Sequence, residues 1–145
     1  MIRDDAATMA RELLDAHGLD GWSVGWNGRK TALGVCRYSD RRILLSGPLT
    51  DRNSVETMAD VIRHEVAHAL AGAQAKHGPQ WRAACRVTGA RPRSCADAAS
   101  VETVPAPWRV VCRDHGDLGG YYRRPTAARL CRRCRQPVAV VRSAA

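Results

Sequence analysis

The stretch NSVETMADVIRHEVAHALAG, residues 53–72, constrains this chain more than any other. Val55, Met58, Ile62, Val66 and Ala69 recur at helical spacing, so one face of a single long helix must be buried. Asn53 with Glu56 three residues on reads as the capping box that opens the helix, and Gly72 reads as its stop. HEVAH, residues 64–68, therefore falls in the second half of a helix with a core-facing side. Residues i and i+4 on a helix lie one above the other, so His64 and His68 can aim both imidazoles at one point. Glu65, about 100° round from His64, borders the same face and can reach a water held there. Hydrolytic zinc chemistry needs three protein ligands, a fourth position open for water, and a base to take that water's proton.

The rest of the chain supplies a setting for this helix. Ala6, Met9, Ala10, Leu13 and Leu14 form a helical stripe that Gly18 ends. Trp22, Val24 and Trp26 alternate with small or polar residues, and TALGVCRYS and RRILLSG read as two further strands with Gly28 and Asp40 near the turns. A short antiparallel sheet is expected from these three segments. Pro79 suits the first turn of another helix, which carries Trp81, Ala84, Cys85 and Val87 inward and ends at Gly89. The loop between the two later helices contains His77. The metzincin spacing would put a third histidine at 74, which is Gln74, and Glu102 is the only later glutamate, so His77 is the best remaining donor.

The longer motif HEVAHALAGAQAKHGPQW resembles the SprT-like, or Spartan-type, zinc metallopeptidases, in which HExxH is followed by a short spacer, a His-Gly and an aromatic residue. The resemblance extends upstream through RRILLSGPL, where that family places a strand and loop, and downstream through a Cys/His zinc ribbon, covering roughly residues 20–135. It implies that His64, His68 and His77 bind a catalytic zinc, that Glu65 is the general base, and that Trp81 packs under the third ligand. It further implies proteolysis of proteins bound or crosslinked to DNA.

Residues 105–145 have a different character. They hold 9 Arg against 2 Asp, a net +7, whereas residues 1–104 hold 14 Lys and Arg against 12 Asp and Glu, a net +2. A polyanion contact is therefore expected on the C-terminal piece. AASVETVPAPW, with two prolines, reads as the linker, and the boundary belongs near residue 104. Cys112 and His115, then Cys131 and Cys134, make two knuckles beside the strand-like WRVVC and PVAVV, a full tetrahedral set for a structural zinc. Tyr121, Tyr122, Arg123 and Arg124, with Arg129, Arg132, Arg133 and Arg135 around the second knuckle, combine phosphate-binding charge with rings that can stack on exposed bases. That combination suits single-stranded or distorted DNA. Cys36, Cys85 and Cys95 are simplest as small apolar side chains and receive no function.

The expectation is an α+β, zincin-like minimal metalloprotease domain over residues 1–104, followed by an Arg-rich zinc ribbon over 105–145. Two zinc ions are expected, one catalytic and one structural, with DNA and DNA-bound proteins as partners. Two rival functions are a DNA-binding zinc module with an inactive HExxH site, and a peptidase acting on a regulator protein. An intact Glu65 argues against the first, because a structural site has no use for a base. No segment approaches about 18 consecutive apolar residues, so no membrane span is expected. The N-terminus carries acids and reads as an amphipathic helix rather than a signal peptide, which points to the cytoplasm, on the nucleoid if the chain is cellular.

Overall fold

A computed structural model describes residues 1–93 and 101–143, so Cys95 and the first three residues of the expected linker, 98–100, lie outside the described residues. The chain forms two compact units, Met1–Val104 and Pro105–Ala145.

The first unit opens with helix α1, Arg3–Ala16, which buries Ala6, Ala10 and Leu14 and ends as the chain turns through Gly18 at φ 66°. Three strands follow: β1 Ser23–Asn27, β2 Gly34–Arg37 and β3 Arg42–Ser46. The sheet order is β1-β3-β2, with β2 antiparallel to β3 but β1 parallel to it. The wholly antiparallel sheet expected from sequence is thus corrected to a mixed one. Ile43 and Leu45 are fully buried and Leu44 is half-buried, so β3 has apolar side chains on both faces and takes the centre. Residues 28–33 then carry the chain past β3 to the far edge. Trp26, near the end of β1, is 37 % exposed, with the Arg3 guanidinium 5.7 Å from its ring.

A one-turn helix, α2 Gly47–Thr50, is capped by Ser46, whose hydroxyl accepts from the Leu49 amide at 3.2 Å. The long helix is α3, Val55–Ala71. Its cap is Ser54, which accepts from the Thr57 amide at 3.2 Å, and not Asn53. Asn53 is buried instead, donating to the Leu49 and Glu102 carbonyls at 2.8 and 2.9 Å and accepting from the Glu102 amide at 2.9 Å. Burial captures Asn53 because an amide left unpaired there would cost more than a cap is worth. α3 ends at Gly72, φ 82°, and the last helix, α4 Pro79–Thr88, ends at a left-handed Gly89.

Two apolar clusters hold this unit together. One joins α1, β3 and α3 through Ala6, Ala10, Leu14, Ile43, Leu45, Met58, Ile62 and Val66. The other sits between α3 and α4 and contains Ala67, Trp81, Ala84 and Cys85. Val87, expected to face inward, is 65 % exposed, and Thr88 is buried in its place. The inward row is 81, 84, 85 and 88, the i, i+3, i+4, i+7 pattern, and 87 lies about 200° round from 85.

The second unit is a three-stranded antiparallel sheet of β4 Trp108–Cys112, β5 Gly116–Tyr121 and β6 Ala139–Arg142, with β4 in the middle. A bridge between Leu130 and Pro137 closes the loop that carries Cys131 and Cys134. Among the described residues, no helix is long and apolar enough to cross a membrane.

Candidate active site

α3 presents His64 and His68 one turn apart, as helical periodicity requires, with their Nε2 atoms 3.2 Å apart. His77 reaches the same point by a sharp reversal. After Gly72 the chain makes a single 3-10 turn, Ala73–Ala75, then a tight turn closed by the Gly78 amide donating to the Ala75 carbonyl at 2.8 Å. Lys76 occupies that turn at φ 47°, ψ −123°, a conformation that favours glycine. The turn delivers His77 Nε2 to 3.1 Å from His68 Nε2.

All three imidazoles rest on Trp81, which is 1 % exposed; ring centroids lie 4.9 Å away for His64, 5.4 Å for His68 and 4.5 Å for His77. The indole, fixed on α4, is a common floor for all three ligand candidates and not only for the third. Burial pushes both His64 and His68 down to about 4, with help from the neighbouring histidines, so each stays neutral with a free lone pair. Tetrahedral nitrogen ligands 2.0–2.1 Å from one ion stand about 3.3 Å from each other, so the observed spacings fit a zinc ion.

Glu65 is 8 % exposed. Its burial raises the carboxyl to about 7, against an opposing pull from the Cys36 backbone amide. The wall it meets is β2, the edge strand, whose Gly34 and Cys36, with Tyr38 just beyond, alternate along one face. A Cβ on Gly34 would stand 2.8 Å from Glu65 Cγ and 3.0 Å from a Val61 methyl. Burial and the Glu65 charge push the Cys36 thiol up to about 12, so it is no nucleophile at neutral pH. Tyr38 donates its hydroxyl to the His68 carbonyl at 3.2 Å and packs edge-on against Trp22, 6.0 Å between centroids. Sequence reasoning missed this wall. Alternation would have placed 34, 36 and 38 on one face, but nothing in the sequence says that the face lies against α3.

In the second unit Cys112, His115, Cys131 and Cys134 form one cluster whose ligand atoms all lie within 4.8 Å of one another. Cys112 Sγ is 3.5 Å from Cys134 Sγ, and His115 Nδ1 is 3.6 Å from both Cys112 and Cys131. Tetrahedral thiolate and imidazole ligands of one zinc stand about 3.6–3.8 Å apart, so this set also fits. The Cys134 and Arg133 backbone amides draw the Cys131 thiol down to about 6, which favours the thiolate that binds metal. A three-stranded sheet carrying a Cys3His cluster is consistent with a zinc ribbon.

Of the expected nucleic-acid contacts, Arg123, Arg124, Arg129, Arg132, Arg133 and Arg135 are exposed, while Tyr121 and Tyr122 are half-buried. Arg129 covers the Tyr121 ring at 4.9 Å and donates to its hydroxyl at 3.0 Å, and Arg124 lies 5.2 Å from the Trp108 ring.

No curated protein and no solved structure matches the chain. A family model does match, that of the SprT-like family, over residues 3–100, which takes in α1, the mixed sheet and the whole three-histidine site. With about two thirds of its length under that match, the chain belongs to the SprT-like family.

Proposed function

We propose that this protein is a zinc-dependent endopeptidase that cleaves proteins bound or crosslinked to DNA. The peptidase half rests on one observation, the convergence of three imidazole nitrogens at α3, where the buried Glu65 stands next to His64 in the chain. His64, His68 and His77, whose Nε2 atoms converge, would hold the ion. When bound, zinc supplies the positive charge that polarises a peptide carbonyl and acidifies water. Glu65 takes the proton at its carboxylate and returns it to the leaving amine. Trp81 keeps the three rings in one geometry, so little reorganisation is needed when metal and substrate arrive. The Cys3His cluster takes a second, structural zinc.

The DNA half is supported by the net +7 of residues 105–145 and by six exposed arginines, four of them around the second knuckle and Arg123 and Arg124 between the two knuckles. Aromatic rings set among arginines, as Tyr121 and Tyr122 are, suit stacking on unpaired bases, so single-stranded or distorted DNA is the preferred form. Cysteines spaced as metal ligands and not as a disulfide framework fit a cytoplasmic setting, at the nucleoid in a cell.

The test is cleavage of a DNA-binding protein by the zinc-loaded chain, with and without single-stranded DNA. Wild type should cleave, DNA should stimulate it, and Glu65→Gln should lose ~10²–10⁴-fold while keeping its zinc. Wild-type cleavage by Glu65→Gln would remove Glu65 from the chemistry. DNA binding without cleavage of any protein would make the chain a binding module instead.

A further inference from the structure

Glu65 does not hold its place by its own helix alone. The residue beside its stem is Gly34 on the edge strand, and the space there belongs to the glycine's missing side chain. A Cβ built on Gly34 comes within 2.8 Å of Glu65 Cγ, closer than real Cβ atoms stand to their neighbours, and within a tight 3.1 Å of Glu65 Oε1. Gly34 has no positive φ and no turn to make, since it pairs with Leu45 as an ordinary strand residue. Conformational freedom therefore does not explain a glycine here, whereas close approach does. The strand is also fixed to the helix one turn further on, where the Tyr38 hydroxyl bonds the His68 carbonyl at 3.2 Å.

We propose that Gly34 is a positioning residue for Glu65: the edge strand packs a glycine against the glutamate stem, and this contact sets where the carboxylate stands relative to the three histidines. The inference rests on the reading of Glu65 as general base, and it concerns a residue that touches neither metal nor substrate. A methyl group at position 34 has two neighbours to displace, Glu65 and the Val61 methyl 3.0 Å away. Val61 is tied into the core, so the glutamate is the side chain that gives way. A displacement of about 1 Å at a reacting group can cost about 10²-fold in rate.

The experiment compares zinc-loaded full-length wild type, Gly34→Ala and Gly28→Ala, the last a control because a Cβ there meets nothing within 4 Å. Four quantities are measured: kcat and KM on a labelled protein substrate, zinc content, and the 13C resonance of the Glu65 carboxyl, assigned by its loss in Glu65→Gln. Gly34→Ala should shift that resonance and lower kcat by at least about tenfold, with KM within about twofold and both zinc ions retained. Gly28→Ala should match wild type throughout. Glu65→Asp withdraws the stem from Gly34, so Gly34→Ala should cost little further activity in that background. A Gly34→Ala protein with unchanged kcat and an unmoved Glu65 resonance would overturn the proposal. So would loss of zinc or fold in Gly34→Ala that persists in the Glu65→Asp background, because the added methyl would then be acting on Val61 or the sheet. Failure of the wild type to cleave any protein would refute the peptidase reading instead, and the resonance would still decide whether Gly34 positions Glu65.

Discussion

Glu65 carries an unusual load for one residue, since it must be buried to face the site and ionised to act in it. Its folded-state value of about 7 lies above the ordinary 4.5, so folding favours the protonated carboxyl. The stability this lends is complete below about pH 4.5 and is lost as pH rises through about 7. The metal-free protein should therefore gain from Glu65→Gln only at the alkaline end. We expect equal urea stability for the two at pH 4, and an advantage of roughly 3 kcal/mol for the glutamine variant at pH 8. His64 and His68 shift the other way, costing stability as pH falls from 6.5 to about 4, but they do so in both proteins and cancel. Equal stabilities at pH 8 would mean that Glu65 is better solvated than its 8 % exposure implies. His64, Glu65 and His68 were legible in the sequence because a helix fixes their relative directions within one turn. Gly34 and Tyr38 were not, because their importance comes from a neighbour 30 residues away in the chain.

Between α3 and α4 the decisive element is the reversal that carries His77. Its Lys76 sits in the left-handed region with ψ −123°, where a side chain costs about 1–3 kcal/mol. Glycine removes that cost and gives back up to about 1 kcal/mol through the greater freedom of the unfolded chain. Lys76→Gly should thus stabilise the metal-free protein by roughly 1 kcal/mol while leaving His77 able to meet His68. Chemical denaturation in the presence of a chelator measures this, and a variant less stable than wild type would show that the turn holds no strain. The sequence marked the loop, through Gly72 and Pro79, and named His77 within it, but its strained path depends on both helices being packed first. The strands show the same division. Three segments were readable from their alternation, yet the parallel pairing of β1 with β3 was not, since strand order depends on which strand is buried on both faces.

Over the whole molecule, two metal clusters of different chemistry should behave differently. The three-histidine set has an exposed member in His77, whereas Cys112 and Cys131 of the second set are 1 % exposed and thiolates bind zinc more persistently. Mild chelation should therefore remove one zinc and all hydrolysis before it unfolds the second unit, as followed by zinc release alongside circular dichroism. Loss of both ions in one step would contradict this, as would a fully loaded chain with only one zinc. The charge asymmetry predicts a second whole-molecule property. Binding to single-stranded DNA should weaken with salt, with a log–log slope of roughly −0.7 per phosphate neutralised. Arg123→Ala with Arg124→Ala should flatten that slope and leave DNA-independent cleavage intact. A slope unchanged by the double substitution would move the DNA contact away from these arginines.

The sequence by itself determined what short-range geometry can carry: the helix over 55–71, the placing of His64, Glu65 and His68 on it, the pairing of two knuckles fifteen residues apart, and the concentration of positive charge after residue 104. Each follows from spacing along the chain. Only the tertiary structure decided which side chains stand around those residues. It set Trp81 beneath all three histidines, withdrew Asn53 from the helix cap into the core, turned Val87 out to solvent, and laid Gly34 against Glu65. These outcomes depend on competition among distant segments for the same buried space, and periodicity along one segment carries no information about its rivals.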